Sequence, residues 1–87
     1  MPLDVPFWFP LRQGKAEPVG PTQYRLTAPN LPPAFISIHQ QAENGRWSAA
    51  LRLSAQGPEV ERTEPVFATV YDAWEGAFEL YRKHVVV

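Results

Sequence analysis

The sequence predicts an α+β fold, an antiparallel meander of three to four strands with one C-terminal helix packed on a single face, in the order β-β-β-β-α. Three observations predict it. An Asn44-Gly45 pair separates two runs of alternating apolar and polar residues. A helical periodicity of apolar residues runs from Val70 to His84. Proline is concentrated at the front: eight of the ten prolines lie in the first 33 residues and none between Ala34 and Gly57.

Asn-Gly favours a two-residue type I′ turn, because both central residues need positive φ and these two adopt it at least cost. A tip at Asn44-Gly45 pairs Glu43 with Arg46, Ala42 with Trp47 and Gln40 with Ala49. It also sets Ile38 opposite Leu51 and Ile36 opposite Leu53. Apolar residues then share one face, while Ser37, His39, Gln41, Arg46, Ser48, Ala50, Arg52 and Ser54 share the other.

Before the hairpin, Tyr24, Leu26 and Ala28 alternate with Gln23, Arg25 and Thr27, the pattern of a half-buried strand. Pro29-Asn30-Leu31-Pro32-Pro33 turns the chain into the hairpin. After it, Gln56-Gly57-Pro58 leads to Glu59–Glu64, an edge strand blunted by charge and by Pro65. Residues 1–21 read as a Pro- and aromatic-rich irregular arm, and residues 22–87 as one α+β domain.

Thr69 is the expected helix N-cap, with Asp72 as a capping-box-like partner. Val70, Ala73, Trp74, Ala77, Leu80, Tyr81 and His84 gather on one side, flanked by Tyr71 and Phe78. Asp72, Glu75, Glu79, Arg82 and Lys83 oppose them. The acids come early and the bases late, which suits the helix dipole, and Glu79 stands four residues before Lys83. Gly76 costs about 1 kcal/mol of helix propensity relative to Ala, and its place at the margin of the apolar arc suits a close approach to a strand. The helix is expected to meet Tyr24, Leu26, Ile36, Ile38, Trp47, Ala49, Leu51 and Leu53. Val85-Val86-Val87 is β-prone, consistent with a sheet edge or a frayed end.

Composition limits the function. The 87 residues make one domain with a modest core, and no cysteine supplies a disulfide or thiolate metal site. Eight basic against nine acidic side chains argue against a dedicated polyanion binder. No apolar run approaches membrane-spanning length, and Met-Pro-Leu-Asp lacks the basic start of a secretory signal. A cytoplasmic protein with no membrane association is expected.

Gly45-Arg46-Trp47-Ser48-Ala49 followed by Thr69-Val70-Tyr71-Asp72-Ala73, in the order hairpin, short strand and capped helix, resembles the N-terminal domain of HicB-type antitoxins. The resemblance implies a cytoplasmic partner-binding domain that masks a small ribonuclease toxin. Where the family carries a Pro-Asp-Leu-Pro-Gly-like segment, this chain has Ser54-Ala55-Gln56-Gly57-Pro58.

Catalytic chemistry finds little footing. Ser37 and Ser48 share a face with His39, but no acid is predicted beside that histidine to complete a nucleophile, base and orienting group. His84 reads as a favourable charge at a helix C-terminus. No spacing suits zinc, and the glycines make no phosphate loop. No catalytic residue, cofactor or metal is assigned. Arg46, Arg52 and Arg25 with His39 suggest a nucleic-acid-facing sheet, but that face offers Ser, Ala and Gln where stacking aromatics would be needed. Protein interaction remains. Phe7, Trp8 and Phe9 need burial, and the face away from the helix is floored by small residues. The arm is expected to dock on its own domain, with exchange onto a second copy as the competing arrangement. Candidate partner-binding residues are Phe7, Trp8, Phe9, His39, Ser48, Ala50 and Arg52. The partner is another protein or a second copy of the chain, and the alternative is a nucleic-acid-associated or antitoxin-like regulatory domain.

Overall fold

A computed structural model describes residues 5–54 and 56–86. A short helix α1 (Trp8–Leu11) precedes five strands: β1 (Lys15–Gly20), β2 (Gln23–Thr27), β3 (Ala34–Gln40), β4 (Trp47–Arg52) and β5 (Glu59–Arg62). Helix α2 (Val70–Tyr81) follows and runs into a wider π-helical turn, Arg82–Val86. The strands form one antiparallel sheet in sequence order, β1-β2-β3-β4-β5, and α2 covers one face of it, chiefly across β3 and β4. This is the predicted α+β meander with one strand more. No described helix is long and apolar enough to cross a membrane.

The extra strand is β1, which lies in the stretch expected to be irregular. Lys15 to Pro18 pair with Thr27 to Tyr24 in register, and an irregularity follows between Pro18 and Gly20. Proline is tolerated there because β1 is an edge, where a missing N–H removes no bond from a central ladder. The first four residues of the arm lie outside the described part.

The hairpin forms, but with a longer turn and a register two residues from that expected. Ile36 stands opposite Leu51, Ile38 opposite Ala49, and Gln40 opposite Trp47. Four residues, Ala42–Gly45, make the loop: Gly45 N donates to Gln41 O at 2.9 Å, and Gln41 N donates to Arg46 O at 2.7 Å. Gly45 alone takes positive φ (70°), while the Asn44 carboxamide oxygen accepts from Arg46 N at 2.9 Å. A type I-based loop of this length needs one left-handed residue, not two. A shift by two keeps every side chain on its predicted face, since side-chain direction has period two. Leu53, expected opposite Ile36, instead lies beyond β4 and is exposed.

Helix α2 begins as predicted. The Thr69 hydroxyl accepts from Asp72 N at 3.0 Å, and Ala73, Trp74, Ala77, Phe78, Leu80 and Tyr81 are buried. Gly76 approaches the Phe67 ring, which belongs to the segment before the helix and not to a named strand. Phe67 is held there by a two-way backbone pair with Trp47, at 2.7 and 3.1 Å. Glu79 pairs with Arg82 at 2.9 Å, whereas Lys83 reaches Glu61 on β5 at 3.1 Å. Val85 and Val86 complete the π turn and pack against the core margin, so the expected sheet edge is not formed there; Val87 lies outside the described residues.

The arm docks on its own domain, on the helix side. Phe9 is 1% exposed, with its ring edge-on to Phe78 (5.3 Å between centroids) and to Tyr81 (5.7 Å). Trp8 stacks on Tyr81 with planes 10° apart. The burial leaves the Tyr81 hydroxyl with no hydrogen-bond partner among the described residues, and desolvation raises its pKa.

Candidate binding face

Helix α2 and the arm cover the same face of the sheet, and no described element packs on the other. Ala34, Ile36 and Ile38 are buried against α2, so the alternate residues Phe35, Ser37 and His39 stand on the open face. On β4 the same alternation places Trp47, Ala49 and Leu51 inward, and Ser48, Ala50 and Arg52 outward.

Strand register carries one row of side chains across all five strands. Glu17 on β1 stands opposite Arg25, Arg25 opposite Phe35, Phe35 opposite Arg52, and Arg52 opposite Glu59. Both ends are ion-paired, Arg25 to Glu17 at 3.3 Å and Arg52 to Glu59 at 3.7 Å. Arg62 completes the second end. Its Nε donates to Glu59 Oε1 at 2.9 Å and its Nη2 donates to Oε2, a two-pronged grip. The Arg62 hydrogen bond is the main reason the Glu59 carboxyl sits below its usual pKa, with the charges of Arg62 and Arg52 adding to it and desolvation partly opposing. Arg52 is the least committed of the three cations, and its Nε has no hydrogen-bond partner among the described residues.

The face has a floor of small side chains. Ser48 is 5% exposed and Ala50 3%, although no described helix or strand packs on this face. The Ser48 hydroxyl donates to His39 O at 3.4 Å and accepts from Arg62 Nη1 at 3.5 Å. Beside it lies an open recess of about 390 Å³ bordered by His39, Gln41, Ser48, Arg62 and the 63–65 segment. Thr63 closes the edge: its N donates to Ala49 O at 2.8 Å, and its hydroxyl accepts from Ala49 N at 2.9 Å.

The seven candidate residues therefore do not form one site. His39, Ser48, Ala50 and Arg52 share the open face, where Ser48 and Ala50 are floor and His39 and Arg52 are reachable. Phe9 and Trp8 belong to the opposite layer, while Phe7 is 80% exposed. The described part of the arm does not cover the small-residue face. Residue reading also missed Phe35, an aromatic on the face expected to have none. Its signal was present, since it shares strand parity with Ser37 and His39.

A second polar cluster lies on the helix side. Glu61 accepts from Lys83 Nζ at 3.1 Å and lies 2.6 Å from His84 Nε2. The hydrogen bond with His84, then that with Lys83, holds the Glu61 carboxyl below its usual pKa. His84 and His39 are on opposite sides of the sheet, so they do not converge. Among the described residues no group of three or more His, Cys, Asp or Glu side chains is placed to hold a metal.

No protein-family model, no curated protein and no solved structure matches this chain.

Proposed function

We propose that this chain is a small non-enzymatic protein-interaction module, acting in the cytoplasm, and that its binding surface is the open sheet face centred on Phe35. The observation that carries this reading is the one-sided fold. A five-stranded sheet has a full hydrophobic layer on one face and, on the other, one aromatic ring flanked in its row by Arg25 and Arg52, with Ser37 and Ala50 in the next row and the carboxylates of Glu17 and Glu59 at the margins. That distribution, an apolar centre within a polar rim, is the anatomy of a protein–protein contact.

The charge arrangement favours a polypeptide over a nucleic acid. Phosphate contacts need cations free to pair with the backbone, whereas Arg25, Arg52 and Arg62 are already engaged by Glu17 and Glu59. The same two carboxylates would repel a polyanion. The antitoxin-like role implied by the family resemblance is one form of the protein-binding reading, because masking a toxin is a protein contact.

A photo-reactive benzoylphenylalanine in place of Phe35, and separately in place of exposed Leu11, tests it in cells of the source species. Adducts that form from position 35 and not 11, and that protease but not nuclease removes, are expected. Nuclease-sensitive adducts from position 35, or none at all, would overturn the reading.

A further inference from the structure

The open face carries its own complement. Its first row reads acid, base, aromatic, base, acid from either side: Glu17, Arg25, Phe35, Arg52, Glu59. Its second row is Gln23, Ser37, Ala50, Arg62, and its third pairs His39 with Ser48. A second copy can be laid face to face on the first by a two-fold axis parallel to the strands. Such an axis keeps each row at its own height and reverses the order of strands, so the position of the axis decides which residues meet.

An axis through β3 sets Arg25 over Arg52 and Glu17 over Glu59, like charge on like charge. An axis between β3 and β4 does the opposite. Arg25 then faces the second copy's Glu59, and Phe35 faces the second copy's Arg52, each contact occurring twice. In the second row Ser37 lies across from the buried Ala50 and Gln23 meets Arg62. His39 meets Ser48 in the third. Arg52, the least committed cation, gains a ring face, at the ordinary spacing of about 10 Å between facing sheets.

Resting on the reading of this face as a polypeptide-binding surface, we propose that the polypeptide is a second copy of this chain, joined in an isologous dimer offset by one strand, with Arg25 crossing to Glu59 and Phe35 to Arg52. Four overlapping strands, about 4.8 Å apart and about 17 Å long, lie at the small end of specific interfaces, so the dimer is weak and salt-sensitive.

Sedimentation equilibrium of the full chain from micromolar to millimolar concentration tests it. The natural chain is expected to move from one chain mass toward two, less so at high salt. Arg25→Glu and Glu59→Arg, each checked for folding by circular dichroism, are each expected to stay monomeric, because each alone opposes like charges at both crossed contacts. Mixed in equal amounts they are expected to dimerise, since both contacts of the mixed pair again join opposite charges. Phe35→Ser, which leaves every ion pair in place, is expected to abolish the dimer and serves if Glu59→Arg does not fold. A natural chain that stays monomeric through the millimolar range, dimers that survive Phe35→Ser, or folded reversal variants that stay monomeric when mixed would each overturn the proposal. If the dimer fails while position 35 still cross-links to a different polypeptide, the broader reading stands without it.

Discussion

The ring of Phe67 lies against the bare backbone of Gly76, in space that a β-carbon on that residue would occupy. The contact explains a glycine in the middle of a helix. Phe67 is fixed by its backbone pair with Trp47, which holds the ring against the helix flank. Helix propensity alone says Gly76→Ala should stabilise by about 1 kcal/mol. Overpacking typically costs about 1–3 kcal/mol, and here it falls on a ring whose backbone cannot retreat. A net loss of stability in a urea melt is expected, and Phe67→Leu in the same chain should recover part of it.

Tyr81 is fully buried with an unsatisfied hydroxyl. Removing an oxygen that lost its water and found no partner should relieve a desolvation cost of about 1–3 kcal/mol. Tyr81→Phe is therefore expected to be neutral or stabilising in thermal unfolding, against the usual direction for a change at a buried site.

Phe9 and Phe7 are two residues apart and opposite in environment, 1% and 80% exposed. Phe9→Ala empties a place among Trp8, Phe78 and Tyr81 and should cost about 3–5 kcal/mol. Phe7→Ala should change stability by less than about 0.5 kcal/mol. Chemical denaturation of the two variants side by side checks both.

Glu61 ties β5 to the C-terminal turn through His84 and Lys83. Its folded pKa is depressed, so its contribution is present above the ordinary carboxylate range and is lost as pH falls through the lowered folded value. The amide signals of Val85 and Val86 are expected to shift on acidification below that range. Glu61→Gln should remove the transition, and high salt should weaken the tie because the cluster is open to solvent.

Much of this fold was legible because its signals are local. Thr69 caps the helix through Asp72 N, and Ala73, Trp74, Ala77 and Tyr81 turn inward, because a 3.6-residue period and a hydroxyl at the N-cap act within a few residues of sequence. The faces of β3 and β4 followed from alternation for the same reason. The hairpin register did not, since a two-residue slip preserves both faces and only the loop hydrogen bonds of Gln41 choose between them. β1 was obscured because proline argues against a strand unless the strand is known to lie at an edge, and edge position is a property of the assembled sheet.

The candidate site divides along the same line. That Ser48, Ala50, Arg52 and His39 share a face is written in their parity. That Phe35 joins them was readable by the same rule. The sequence by itself thus determined the element types, the faces and the cap, all set by steric and hydrogen-bonding preferences of near neighbours. Only the tertiary structure decided that the aromatic arm packs with α2, that Gly76 serves Phe67, and that Glu17, Arg25, Phe35, Arg52 and Glu59 align in one row. Those relationships join residues far apart in the chain, and their positions are set by strand register and by competition for buried space.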